Sequence, residues 1–210
     1  MNKKITVLAL ASAAALSTLA GTATAADNGD GSGFYGTIGW HQMNPKSDNG
    51  SIAGVRTDVN SASRPDLTLG YNFDPNWSAQ VWLPLGKFEN SLRQGGATVA
   101  DVKVAPVLVT GQYHFLPGSS INPYVGLGYG WMATTGERGT GAWTGNTVNV
   151  KNASGFVAQG GVDFKVADHV FIRADASYLN AAAKVDMNGV GAGKLKLDPW
   201  IYGVSVGYQF

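Results

Sequence analysis

The chain ends Trp200-Ile201-Tyr202-Gly203-Val204-Ser205-Val206-Gly207-Tyr208-Gln209-Phe210. Large aromatic or aliphatic side chains stand at every even position, apart from Ile201 the odd ones are small or polar, and the aromatic run reaches the terminus. A period of two sends successive side chains to opposite faces of an extended backbone, so this stretch reads as a strand with one wholly apolar face. The same test upstream predicts seven more strands: 34–40, 67–73, 77–85, 107–115, 125–131, 156–166 and 170–178. Their connections alternate in length. Asp74-Pro75-Asn76, Leu116-Pro117-Gly118-Ser119-Ser120 and Ala167-Asp168-His169 are tight, whereas 44–63, 87–100, 133–152 and 180–194 are long and rich in Gly, Ser, Thr and Asn. In an up-and-down sheet the odd and even connections lie at opposite ends, so one end carries turns and the other loops. With aromatics at the strand ends (Trp40, Phe73, Trp77, Phe115, Trp131, Phe164, Tyr178, Trp200, Phe210), this predicts an all-β, eight-stranded antiparallel up-and-down transmembrane β-barrel in an outer membrane. Lipid cannot hydrogen-bond an open sheet edge, so the sheet must close on itself. A secreted β-sandwich would share the alternation, but accounts less well for the way the chain ends.

Composition agrees. The chain has 210 residues, 29 of them glycine, only 14% charged residues, no cysteine and a formal net charge of +1. That excludes a disulfide scaffold or thiol enzyme and offers no field for nucleic acid. Residues 1–25 read as a secretory signal peptide: Lys3 and Lys4, an apolar stretch from Ile5 to Leu19, then Ala23-Thr24-Ala25 as cleavage site. Cleavage after Ala25 would leave 26–210 as the barrel domain.

Three further stretches carry a family resemblance. Val102-Lys103-Val104-Ala105-Pro106-Val107-Leu108 leads through Gln112-Tyr113-His114-Phe115 to Asn122-Pro123-Tyr124-Val125-Gly126-Leu127-Gly128. Leu197-Asp198-Pro199-Trp200 runs into the terminal strand, and Trp82-Leu83-Pro84-Leu85 places a proline late in the third. Together these resemble the outer membrane protein W (OmpW) family from about Gly33 to Phe210, while the loops match nothing recognisable. The resemblance implies a narrow, largely apolar lumen that takes up small hydrophobic molecules, without a cofactor. Some relatives serve as bacteriocin receptors, so the alternative role is a structural or surface-interaction barrel whose outer loops contact a bacteriocin, a phage or a host. The expected partners are outer-membrane lipid, a small hydrophobic solute and, through the strand ending at Phe210, the barrel-assembly machinery.

If one face of each strand meets lipid, the other faces the lumen. His41, Trp82, Pro84, Leu108 and Tyr124 are then candidates for a ligand path. Around the turn at Ala167-Asp168-His169, Asp163 falls opposite Arg173, with Lys165 and Asp175 nearby. These four are expected to pair as a charged plug, because an unpaired buried charge is costly. Its role is either a gate or a filling that holds register. Pro84 and Pro106 lie in neighbouring strands, and the apolar parity changes from Val102 and Val104 to Val107 and Val109. A bulge at Ala105-Pro106 is therefore expected, which either opens a weak seam through which an apolar solute leaves sideways or merely bends the strand. His41, His114 and His169 fall in separate places, with no serine and carboxylate evident at the same depth, so neither a metal site nor an enzyme is expected. Gly39, Gly70, Gly86, Gly126, Gly128, Gly130, Gly161, Gly203 and Gly207 are assigned to the inner face, making room there.

Overall fold

Alternation becomes a closed wall. In the computed structural model, which describes residues 31–46, 49–139 and 143–210, eight long strands form the wall. The expected signal peptide and its cleavage site lie outside the described residues. The strands are β1 (Gly33–Asn44), β2 (Ala62–Asn72), β3 (Trp77–Pro84), β4 (Ala97–His114), β5 (Ile121–Gly139), β6 (Ala153–Lys165), β7 (Val170–Leu179) and β8 (Trp200–Gln209). Each pairs antiparallel with the next, and β8 returns to β1 from Tyr35↔Gln209 to Asn44↔Trp200, closing the ring.

The outer surface explains the closure. Phe34, Leu69, Leu127, Phe156 and Val204 are each more than half exposed, an apolar belt that only lipid can cover. Aromatic rings band it at both rims. Toward the tight turns, Phe34 packs on Tyr71, Tyr71 on Phe73, Trp77 on Tyr113 and Tyr208 on Phe210. Toward the long connections, Tyr129 meets Trp131 and Phe156, and Tyr178 meets Trp200.

The long connections are more ordered than their composition suggests. β4 and β5 run to 18 and 19 residues, well past the outer aromatic band. Strand Phe88–Gln94 pairs with the far half of β4. Strands Ser51–Ile52, Val55–Arg56, Val148–Val150, Ala182–Met187 and Val190–Lys196 make a separate five-stranded sheet. Its central hairpin turns at Asn188-Gly189, both at positive φ, the combination a tight hairpin turn requires.

Beyond the outer band the apolar side changes face. Val102 and Val104 point inward and Asp101 and Lys103 outward; Phe88 and Leu92 are buried while Glu89 and Arg93 are exposed. Water has replaced lipid outside, so the hydrophobic residues turn in and pack as a core with Met43, Met132, Leu195 and Ile201. The Glu89 carboxyl on this wet surface is held below the usual carboxylate range by Lys103, whose ammonium lies 3.1 Å away, and by Arg64.

This overturns the expected bulge at Ala105-Pro106. β4 passes through those residues in unbroken register with β5, Ala105↔Ala133 and Pro106↔Met132, and the ladder shifts only between Asp101 and Lys103. Even-numbered residues stay inward from Val102 to His114. The parity of apolar residues changed because the solvent changed, not because the strand slipped.

Candidate functional site

The inner floor is built by the β6–β7 hairpin. Its register sets Asp163 opposite Arg173, which is 3% exposed. Arg173 Nε and Nη2 each donate to an Asp163 carboxylate oxygen at 2.7 Å, a two-pronged pairing, and Nη1 donates to Gln80 at 2.8 Å. The guanidinium also faces the rings of Tyr124 at 4.7 Å and of Tyr35 and Phe171 at 5.3 Å. Glycines admit these rings. A Cβ at Gly70, Gly161 or Gly207 would lie 2.2, 2.6 or 2.1 Å from the ring of Tyr35, Tyr124 or Phe171. Gly70→Ala and Gly207→Ala are therefore expected to cost about 1–3 kcal/mol each in urea unfolding from lipid vesicles, the usual range for overpacking. Gly191→Ala, with open space around it, is the control and should change little. Gly86 does not share this role: it is exposed at φ +125° in the turn after β3, outside the lumen.

Above the floor the polar groups connect without interruption. Tyr35 Oη lies 3.0 Å from Gln80 Oε1 and 3.2 Å from Gln112 Oε1. Gln112, Gln80 and Thr110 all donate to Gln159 Oε1, and Gln159 Nε2 donates to Asp175 Oδ2 at 3.1 Å. Asp175 Oδ1 lies 3.1 Å from His41 Nε2, and His41 Nδ1 lies 2.6 Å from Asp66 Oδ2. Asp66, fully buried, accepts the Trp82 indole N–H at 3.1 Å, and the Trp82 ring meets His41 edge-on. The relay from Asp163 to Trp82 crosses the lumen, joining side chains of β1, β2, β3, β4, β6 and β7.

Past Trp82 the interior turns apolar. Leu108, Val157 and Leu179 crowd around Gly130, where a Cβ would be 2.7–3.2 Å from their methyls. Farther out, a cavity of ≈ 20 Å³ is lined by Met43, Leu92, Val102, Val104, Met132 and Leu195 among others. That is far below the few hundred Å³ of a formed ligand pocket, so the apolar interior is closed by its own side chains. Two methionines, flexible and polarisable, suit such a lining. The opposite, tight-turn end opens as a vestibule of ≈ 230 Å³ whose lining includes His114, Asp163, Phe171 and Arg173. There His114 is held by Ser78 Oγ at 3.1 Å and Asn122 Nδ2 at 3.2 Å.

The ladder of the wall is interrupted at one level. β3 pairs with β4 from Trp77↔Tyr113 to Trp82↔Leu108; pairing with β4 resumes only at Phe88↔Val104. Residues 83–87 thus face 105–107, and two extra residues must leave the ladder. β3 stays with β2 meanwhile: Pro84 sits opposite Asp66 and Leu85 N–H donates to Pro65. Pro106 has no N–H to offer. The gap between β3 and β4 lies at the height of Trp82, where polar lumen gives way to apolar core, and Leu85 and Val107 flank it on the lipid side.

The OmpW family profile matches residues 38–210. The chain belongs to the OmpW family. It is an outer-membrane β-barrel. It is 28% identical over 165 residues to outer membrane protein W of Vibrio cholerae, covering 72% of this chain and 76% of that one. Among solved structures it resembles the outer membrane protein OprG of Pseudomonas aeruginosa, with a TM-score of 0.74 at 22% identity, covering 86% of this chain and 96% of that one. Outer membrane protein W of E. coli gives a TM-score of 0.62 at 22% identity, covering 86% and 99%. These two likenesses show the shared fold.

In this OmpW-family barrel the residues singled out from sequence separate by depth. Asp163 and Arg173 come together, but Asp175 turns to His41 and Gln159 rather than to the floor pair. Lys165 does not join a plug: it is half exposed at the rim, where β6 ends, and points to Asp168 at 3.8 Å. Tyr124 belongs to the floor against Arg173, not to an upper path. Trp82 caps the polar relay and Leu108 begins the apolar part, while Pro84 and Pro106 edge the wall gap. His41 has two carboxylates at its own depth, which the sequence reading missed. Asp66 escaped because β2 begins at Ala62, and Arg64-Pro65 hide its alternation. Carrying the inward parity of Thr68 and Gly70 back one step would have found it.

Proposed function

We propose that this barrel admits small hydrophobic molecules from the outer side and releases them sideways through the β3–β4 gap into the outer leaflet. One observation carries the reading: the apolar interior ends on the sealed polar relay at the level where the wall ladder is interrupted. A hydrophobic solute that parts Met43 and Met132 can travel down to Leu108. Below it, a step through the Gln80, Gln112 and Gln159 network or past His41 and Asp175 would break hydrogen bonds without replacing them. Sideways, two prolines and a two-residue mismatch leave few ladder bonds to break, and lipid lies beyond. The solute moves down its own gradient, and no chemistry or cofactor is required.

The test closes the gap. Leu83→Cys with Val107→Cys extends the β3–β4 register by one pair, in a chain with no other cysteine. In liposomes, disulfide formation is expected to cut uptake of a small apolar fluorophore at least about tenfold, about 1.4 kcal/mol of barrier. Reductant should restore it, and a small ionic dye should stay at the level of empty liposomes throughout. Equal uptake by the oxidised and reduced forms overturns lateral release. Uptake of the apolar probe no faster than in empty liposomes overturns the carrier reading and favours a surface-interaction barrel.

A further inference from the structure

The outer face of the extracellular sheet carries a lysine row that the proposed transport does not use. In its central hairpin Lys184 pairs directly opposite Lys194, and Lys196 stands on the same face opposite Ala182. On the other side, Lys151 N–H donates to the Lys184 carbonyl, which puts Lys151 beside Lys184 in the row. All four side chains are exposed. Lys151 is neutralised by Asp186 at 3.0 Å, but Lys184, Lys194 and Lys196 have no carboxylate partner among the described residues. Like charges directly opposite one another weaken a strand pair. The inner face here is well packed, with Ala183, Val185 and Leu195 at 0–1% exposure, so the hairpin tolerates the repulsion without needing it.

The row's height gives it a use. Lys196 is four residues from Trp200, which packs on Tyr178 in the outer aromatic band. At about 3.3 Å per residue, reduced by strand tilt, the lysines begin within roughly 13 Å of that band. Long lysine stems reach down toward the interface. Lys194, with Lys184 opposite it, stands two residues farther out, and the headgroup region that holds the outer-leaflet phosphates begins at the aromatic band.

We propose that Lys184, Lys194 and Lys196 form a binding site for the phosphate groups of an outer-leaflet glycolipid, which tethers the extracellular sheet to the membrane surface. A lysine near an anionic lipid surface contributes about fivefold in affinity, so the three together would contribute roughly a hundredfold. The proposal is independent of the transport reading, because the site lies outside the lumen.

The test uses the whole barrel in phosphatidylcholine liposomes with a trace of dansyl-labelled lipid A, read by energy transfer from the native tryptophans. Wild type should prefer bisphosphorylated over dephosphorylated lipid A by tenfold or more. Lys184→Gln/Lys194→Gln/Lys196→Gln should abolish the preference, and the three arginine replacements should keep it. Equal preference in the glutamine variant, or none in wild type, overturns the proposal. Inorganic polyphosphate added outside should not displace the labelled lipid at matched phosphate concentration; full displacement would assign the site to a soluble anion and overturn the lipid assignment. Circular dichroism and heat-resistant gel mobility check that each variant is folded.

Discussion

Arg173→Met is expected to lower the stability of the barrel in lipid vesicles by about 3–5 kcal/mol, the range for breaking a buried pair from one side. The substitution keeps much of the side chain's volume and removes its charge. Asp163 then keeps a carboxylate, only 14% exposed, that has lost both of its 2.7 Å donors. Gln80 Oε1 loses its charged donor, and three rings lose the cation they face. Adding Asp163→Leu should recover most of the loss, because an apolar pair leaves no orphaned charge. Arg173→Lys should fall between, since an ammonium cannot fork across two carboxylate oxygens and reach Gln80 as well. Urea titration followed by tryptophan fluorescence in vesicles measures all three. A loss below about 1 kcal/mol for Arg173→Met would show that the floor pair contributes little.

What could be read from sequence, and what could not, divides at the outer membrane surface. Within the lipid belt the environment outside the wall is constant, so Tyr202, Val204, Val206 and Tyr208 report the same face as Leu67, Leu69, Tyr71 and Phe73. A short turn with known facing then sets register, and Asp163 opposite Arg173 follows by counting. Above the belt, Val102 and Val104 obey the same backbone geometry but the opposite partition of solvent. Alternation tells which residues share a face; it does not tell whether that face is inside. The long connections were opaque for this reason, and Phe88, Leu92 and Val185 read as loop residues although they are core. Lumen chemistry was legible where strand ends were right. Gln80, Gln112 and Gln159 follow from parity, whereas Asp66 sits where Arg64 and Pro65 mask the start of β2. The wall gap could be anticipated from two prolines. Its cause could not, because it is a mismatch between two pairings, β3 with β4 and Phe88–Gln94 with β4, and the second was hidden in a loop.

His41→Leu should be as damaging as the loss of Arg173, and for a different reason. His41 stands between two carboxylates, with Nδ1 2.6 Å from Asp66 and Nε2 3.1 Å from Asp175. A doubly protonated imidazole donates from both nitrogens, and a ring set between two carboxylates at these distances is placed to act as their counterion. Gly203 makes the position possible: a Cβ there would lie 2.7 Å from the His41 ring. Leucine fits the space but leaves Asp66 with only the Trp82 N–H and Asp175 with Gln159. Two buried carboxylates with no cation between them should cost about 3–5 kcal/mol, and the same urea titration measures it. Asparagine at both 66 and 175 in the leucine background should restore most of the stability, because neutral amides need no counterion. If the leucine variant instead unfolds like wild type, the two carboxylates are not both charged and the middle of the relay is a neutral hydrogen-bond chain. The second readout is leakage of a small cation from loaded liposomes, which should rise in His41→Leu and fall again in the asparagine rescue. Stability lost without a leak would place the seal at Arg173 alone and leave His41 to hold β1, β2 and β7 in register.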